Sequence, residues 1–209
     1  MLRDPEVPDV EKVRHIQAYI DAFEYNYSGK PFVKLNKKGG AKHLLTATLE
    51  LIRLALPIQC VEAVFIGGWL SKDLHAVERV PLSFKSMFRG NVHRHIVLAV
   101  RVGSRWGSVG ISRRQNLMDK PVVYESLTQL ICDYKTAYAE CFHQLLTVYL
   151  GLPLPRTFHA DDRPIKWRAA KVRVSRADPD DTSERVESYC AVMHRVAHYY
   201  SKYGRLTPA

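Results

Sequence analysis

The spacing of apolar residues predicts that the first third of the chain is helical. From Val10 to Tyr25, apolar side chains recur every three or four residues, as on one face of an amphipathic helix. The same spacing returns from His43 to Leu56, and Pro57 stops it because proline lacks the amide hydrogen that a helix interior needs. The next segment, Ile58 to Leu70, is apolar on nearly every side. It predicts a buried central helix with Cys60 in its first turn.

A shift toward Ile and Val in the middle of the chain predicts a hairpin of two strands. His93–Val102 and Arg105–Ser112 are the two strands, and Gly103-Ser104 between them suits a two-residue turn. Three further elements follow: a long helix at Leu127–Leu150, a strand at Trp167–Val174 and a C-terminal helix at Thr182–Tyr203. Helices that precede and follow strands in this way predict an α+β fold, with a central buried helix packed on a small antiparallel sheet.

Composition favours one folded domain. The chain has 209 residues, of which 46% are hydrophobic and 25% charged, so extensive disorder is excluded. We divide residues 1–209 into a helical lead-in (1–56), a core (57–175) and a C-terminal helix (176–209). The four cysteines form no C-x-x-C pair. This excludes a disulfide scaffold and a structural zinc ribbon, and it suits a reducing compartment.

The charge balance predicts an anionic partner. With 31 Lys and Arg against 21 Asp and Glu, the formal net charge is +10. Nucleic acid, an anionic membrane and an acidic polypeptide all fit such a charge, although no stacking motif supports nucleic acid. No run of about 18 apolar residues predicts a membrane span, and the charged N-terminus is unlike a signal peptide. We therefore expect a soluble intracellular protein.

The predicted hairpin places a histidine opposite a serine. If Gly103-Ser104 is the turn, Val102 pairs with Arg105, and counting outward brings His95 opposite Ser112. A histidine held by a hydroxyl, with a cysteine at a helix start elsewhere, is the layout of nucleophile, base and orienting group. The alternatives are a cross-strand pair inside a sheet and an inert, buried Cys60.

Two histidine pairs have the spacing of metal ligands, but neither pattern supplies the further ligands that a metal site needs. His194 and His198 have the spacing of a metal pair on a helix, yet Arg195 stands where the zinc-protease pattern needs glutamate. His93 and His95 share a strand face without two further ligands. We therefore expect no metal and no cofactor.

Several separate motifs, in order, resemble one enzyme family. Four segments carry the resemblance: Leu56–Val64 (LPIQCVEAV), Ser83–Lys85 (SFK), Arg94–Leu98 (RHIVL) and Gly110–Pro121 (GISRRQNLMDKP). They are similar to the vasohibins, which are transglutaminase-like cysteine peptidases that remove the C-terminal tyrosine of α-tubulin. The likeness extends from about Tyr25 to Trp167. It implies a cytoplasmic, cytoskeleton-associated enzyme that acts on microtubules.

The resemblance also implies a role for individual residues. It implies a triad of Cys60, His95 and Ser112, with the backbone carbonyl of Leu117 as an alternative orienting group. Four cationic or aromatic positions fall where the family contacts the substrate tail: Tyr25, Lys37, Arg94 and Arg113. We count Gln59 and Leu117 with them as substrate contacts. Such cations suit a carboxypeptidase, which must hold an α-carboxylate.

Two departures from the animal members bear on specificity and on partners. Gln59 stands where they have a lysine, so an amide replaces a charge beside the cysteine. The lead-in before Val10 is short, and the corresponding region of the animal proteins helps to hold the small vasohibin-binding protein. The sequence hypothesis is a tubulin tyrosine carboxypeptidase. A transglutaminase-type acyl transferase and a basic binding module for microtubules or nucleic acid remain the alternatives.

Overall fold

In the part of the chain that the structure describes, two helical layers enclose one antiparallel sheet of six strands, which confirms the α+β expectation. The computed structural model describes residues 2–33, 40–157, 164–174 and 179–203. The helices are α1 (Asp9–Asp21), α2 (Ala41–Leu54), α3 (Cys60–Leu70), α4 (Leu127–Glu140) and α5 (Pro179–Tyr203). The strands are β1 (Val77–Phe88), β2 (Asn91–Val102), β3 (Arg105–Val109), β4 (Lys120–Tyr124), β5 (Gln144–Leu150) and β6 (Ala170–Arg173). In this part of the chain, no helix is both long and apolar enough to cross a membrane.

The β2–β3 hairpin has the predicted turn. The strand order is β4-β3-β2-β1-β5-β6, and all neighbours are antiparallel. Val102 lies opposite Arg105, and Gly103 between them adopts a φ of +57°, which glycine tolerates without strain. The register deduced from the sequence is therefore correct at this end of the hairpin.

Alternating side chains of β2 divide the core into two layers. Ile96, Leu98 and Val100 pack with apolar residues of α1, α2 and α3. Val97 and Ala99 point to the other face and pack with residues of α4 and α5. This is the alternation that the sequence predicts, since successive side chains of a strand point to opposite faces.

The central helix α3 packs closely on the sheet and is anchored at its C-terminal end. A Cβ at Gly67 would lie 3.1 Å from a methyl carbon of Val109, so a larger residue would push the helix away from β3. Arg79 of β1 is 2% exposed and donates to the carbonyls of Gly68 and Leu154, at 2.9 Å each. Burial, with a contribution from the nearby Arg156, lowers the pKa of Arg79 to about 10, so it stays charged at neutral pH. A buried cation thus satisfies a carbonyl at the helix end.

Several predicted boundaries are wrong. The helix predicted over Leu127–Leu150 ends at Glu140, because Phe142 adopts a left-handed φ of +60°, and the rest forms β5. Helix α2 ends at Leu54 rather than at Leu56, and the next residue, Ala55, is left-handed. Strands β1 and β4 were not predicted, and α5 begins at Pro179.

Strand β3 ends at Val109, three residues earlier than predicted, and a side chain of α1 binds the backbone of the residue that follows. The β2–β3 ladder stops at the pair Leu98–Val109. The next residue, Gly110, gives its N–H to Gln17 Oε1 and its carbonyl accepts from Gln17 Nε2, both at 2.9 Å. The α1 side chain therefore occupies the position of a strand partner. Ser112 lies outside the ladder, which corrects its predicted place directly opposite His95.

Candidate active site

Cys60 is the first residue of α3, and the chain that leads to it is held at two points. Ile58 donates to the carbonyl of Glu24 at 2.8 Å and accepts from the N–H of Asn26 at 2.7 Å, as in a short parallel bridge. The N–H of Gln59 donates to the carboxylate of Glu62, which is 3% exposed, at 3.1 Å. These contacts fix where the helix begins. The Cys60 thiol, partly buried, thus lies in the first turn of α3, at the positive end of the helix dipole.

His95 is held by one ring contact and one hydrogen bond. On β2 it lies directly opposite Phe84 of β1, and the two rings stack with centroids 6.2 Å apart. Its Nε2 lies 2.7 Å from the carbonyl oxygen of Leu117. A carbonyl can only accept, so Nε2 carries the hydrogen of the neutral ring and Nδ1 is left as the acceptor. This tautomer suits a base.

Burial keeps the His95 ring neutral. Loss of solvation lowers the pKa of His95 to about 4, and the bond to Leu117 opposes that shift only in part. At neutral pH the imidazole is therefore unprotonated and can take a proton from a thiol.

Ser112 makes a different contact from the one predicted. Its Oγ accepts a hydrogen bond from the backbone N–H of Arg114 at 3.3 Å. The acceptor for His95 is the Leu117 carbonyl, which the sequence left as the alternative. That carbonyl belongs to a short 3₁₀ turn, Gln115–Leu117, closed by a bond of 3.0 Å from Leu117 N–H to Arg114.

Cys60 and His95 line one cavity of about 560 Å³. The cavity also has Gln59 and Arg94 in its wall, both predicted from the sequence. Its other wall residues are Val61, Ser83, Phe84, Ile96, Tyr149, Trp167 and Arg168. No motif in the sequence predicts the last three as site residues, because they lie on β5 and before β6, far along the chain from Cys60. The guanidinium carbon of Arg168 lies 4.5 Å from the centroid of the Tyr149 ring.

Tyr25 and Arg113 meet beside this cavity. The Arg113 guanidinium carbon lies 5.6 Å from the centre of the Tyr25 ring and 5.9 Å from that of Tyr27. Burial raises the pKa of Tyr25, with a contribution from nearby Cys60, while Arg113 acts in the opposite direction. Both residues line a second cavity of about 420 Å³ together with Ser112. Lys37, the remaining predicted contact, lies outside the described residues.

Members of the two histidine pairs contact aromatic and acidic side chains, with His93 near Phe88 and His194 near Glu78. Among the described residues, no group of three or more His, Cys, Asp or Glu is arranged to hold a metal ion. His194 lies 3.3 Å from a carboxylate oxygen of Glu78, as an ion pair when protonated.

Two comparisons with known proteins agree with each other. The sequence profile of the vasohibin family matches residues 3–194. Tubulinyl-Tyr carboxypeptidase 1 of Mus musculus is 36% identical over 189 residues, which is 90% of this chain and 50% of that protein. The chain therefore spans about half the length of the curated relative that it matches.

Proposed function

Since the chain belongs to the vasohibin family, we propose that it is a thiol carboxypeptidase that removes the C-terminal tyrosine of α-tubulin. One observation carries the proposal: Cys60 at a helix start and a neutral His95, oriented by a carbonyl, line the same cavity. This is the arrangement of a nucleophile and its general base. The name of the mouse relative supports the choice of tubulin as substrate.

The proposed reaction uses Cys60 and His95 in two steps. Nδ1 of His95 takes the thiol proton, and the Cys60 thiolate attacks the carbonyl of the penultimate residue. N–H groups at the start of α3 stabilise the oxyanion. His95 returns the proton to the departing tyrosine amine, and water then hydrolyses the thioester with His95 again as base. The Leu117 carbonyl, rather than the Ser112 hydroxyl, keeps His95 in the required tautomer.

Cations supply the grip on an acidic tail. Arg94 lies in the wall of the cavity, and Arg113 lies on Tyr25 beside it. Arginine binds a carboxylate through two N–H groups, which is what a carboxypeptidase needs for the terminal α-carboxylate. Gln59, the residue before Cys60, offers an amide there. We include Lys37 among the tail contacts on the basis of the family resemblance alone.

The test is a detyrosination assay on assembled microtubules with the chain alone, with added small vasohibin-binding protein, and with Cys60→Ala. We expect loss of terminal tyrosine that Cys60→Ala abolishes. Activity only with the added protein would make that protein a required partner. Amine incorporation in place of hydrolysis would indicate an acyl transferase. Microtubule binding without tyrosine loss in any arm, with Cys60 unreactive toward iodoacetamide, would refute the peptidase and favour a binding module.

A further inference from the structure

The turn that presents the Leu117 carbonyl is fastened to α4 on both sides. On the N-terminal side of Leu117, Asn116 Nδ2 donates to the carbonyl of Ala137 at 3.3 Å and to the carboxylate of Glu140 at 3.0 Å. After it, the carbonyl of Met118 accepts from the hydroxyl of Tyr134 at 2.9 Å. Since Leu117 lies between these two anchors, the position of its carbonyl depends on α4.

The same helix also supports the ring of His95. His95 stacks on Phe84, and Phe84 packs in turn against Tyr134, with ring centroids 4.7 Å apart. Phe84 is 2% exposed and Tyr134 is fully buried, so neither ring has room to move. Tyr134 therefore contacts Phe84, which stacks on the donor His95, and Met118, which follows the acceptor Leu117.

The direction of the hydrogen bonds around Tyr134 follows from its surroundings. Its hydroxyl has one hydrogen, and the Met118 carbonyl can only accept, so that hydrogen goes to Met118. Ser108 Oγ, 2.7 Å away, must then donate to the Tyr134 oxygen. Burial raises the pKa of Tyr134 far above neutrality, so the hydroxyl keeps its hydrogen at the pH at which the enzyme works.

We propose that Tyr134 is a positioning residue that sets the distance between His95 Nε2 and the Leu117 carbonyl. Its ring fixes His95 through Phe84, and its hydroxyl fixes Leu117 through Met118. The hydroxyl can be removed without removing the ring, so the two roles are separable by Tyr134→Phe. The inference rests on the proposed function only where catalytic rate is the readout.

For Tyr134→Phe we expect a loss of about three- to tenfold in kcat on a tail peptide, with KM unchanged. The lost hydrogen bond is one of the ordinary neutral kind, which sets the size of the effect. We further expect the Nε2–H proton of His95 to exchange faster with solvent in ¹H–¹⁵N NMR of the imidazole, because its acceptor is less well held. Ser108→Ala, which keeps the donation to Met118, should have the smaller effect of the two.

The matched control is Tyr189→Phe. Tyr189 is also buried in the α4–α5 layer and also donates its hydroxyl to a backbone carbonyl, that of Gly151. It touches neither His95 nor the Leu117 turn. We expect it to lower stability without changing the His95 resonance, and both variants should be checked for folding by circular dichroism.

Two outcomes would overturn the inference. One is a folded Tyr134→Phe with wild-type kcat and an unchanged His95 resonance. The other is an equal loss of kcat and an equal change in that resonance in Tyr189→Phe, which would mean a general loosening of the core. Because the NMR signal needs no substrate, it decides the role of Tyr134 even if the wild-type chain fails to detyrosinate tubulin.

Discussion

His95 takes its orientation from a neutral carbonyl rather than from a charged side chain. A carboxylate in that place would stabilise the imidazolium and raise the pKa of the ring. The Leu117 carbonyl fixes the tautomer but adds only a dipole, and the ring is largely desolvated. In the proposed mechanism, His95 is therefore a base that stays neutral at rest and accepts a proton only when the thiol donates one.

The first prediction separates Ser112 from the Leu117 carbonyl. Because His95 donates to Leu117, Ser112→Ala should lower kcat/KM by less than about threefold. His95→Ala removes the base and should lower kcat/KM by at least about 100-fold. Detyrosination of a tail peptide measures both. A loss of about 100-fold or more in Ser112→Ala would restore the hydroxyl as the orienting group.

The second prediction concerns pH. His95 must be neutral to accept the thiol proton, and burial lowers its pKa to about 4. As the pH falls through that value, the ring becomes protonated and kcat falls. Between that value and neutral pH, the ring stays neutral, so kcat should not change. We expect kcat on a saturating peptide to be the same at about pH 5 and pH 6, whereas a histidine of ordinary pKa near 6.5 would lose most of its activity there. Circular dichroism at each pH controls for unfolding.

The sequence predicts the two side chains that we propose as nucleophile and base, but not the carbonyl that accepts from His95. Cys60 follows from a proline-marked helix start, and His95 from the hairpin and the family motifs. The Leu117 carbonyl leaves no trace in the sequence, because every residue has a carbonyl. The predicted position of Ser112 opposite His95 requires a ladder that continues past Val109, and the observed ladder stops there.

At the level of elements, Gln17 of α1 provides the hydrogen-bond partners of both backbone polar groups of Gly110, the residue that follows β3. Replacing Gln17 by leucine would leave the buried N–H and carbonyl of Gly110 without partners. We expect Gln17→Leu to lower the free energy of unfolding by about 2–4 kcal/mol, the cost of two such groups. Urea denaturation followed by circular dichroism measures it.

A helix glutamine on the surface provides the comparison for Gln17. Gln129 of α4 accepts a hydrogen bond from the N–H of Glu125 at 2.8 Å, but it is exposed to solvent. Water can replace that bond, so Gln129→Leu should cost less than about 1 kcal/mol. Equal losses in the two variants would contradict the pairing role of Gln17.

Strands β1 and β5 escape prediction from the sequence for two different reasons. Strand β1 is central and buried on both faces, yet Arg79 and Pro81 interrupt its apolar run and hide it. Strand β5 was assigned to the preceding helix because Phe142 and Leu145 continue its apolar spacing. Only the left-handed backbone at Phe142 separates the two elements. A phenylalanine rarely adopts this conformation, so the sequence does not predict the break, as a glycine at this position would.

At the level of the whole molecule, a net charge of +10 should act on substrate capture. A positive protein attracts an acidic tail over a distance of about one Debye length, which shrinks from about 30 Å at 0.01 M salt to about 10 Å at 0.1 M. We expect KM for a glutamate-rich tail peptide to rise as KCl is increased over this range, while kcat stays constant. A KM independent of salt would show that the charge plays no part in binding.

The proposed nucleophile and base reach the cavity from different layers of the molecule. Cys60 belongs to the layer of α1, α2 and α3, whereas the supports of His95, Phe84 and Leu117, belong to the layer of α4 and α5. Because Cys60 precedes α4 in the chain, it leaves the ribosome well before α4 and the side chains of α4 that hold Phe84 and the Leu117 turn. The nascent chain carries a nucleophile whose base is not yet oriented, and the proposed peptidase gains its activity only when folding is complete. In this respect the order of synthesis does the work that a propeptide does in a zymogen.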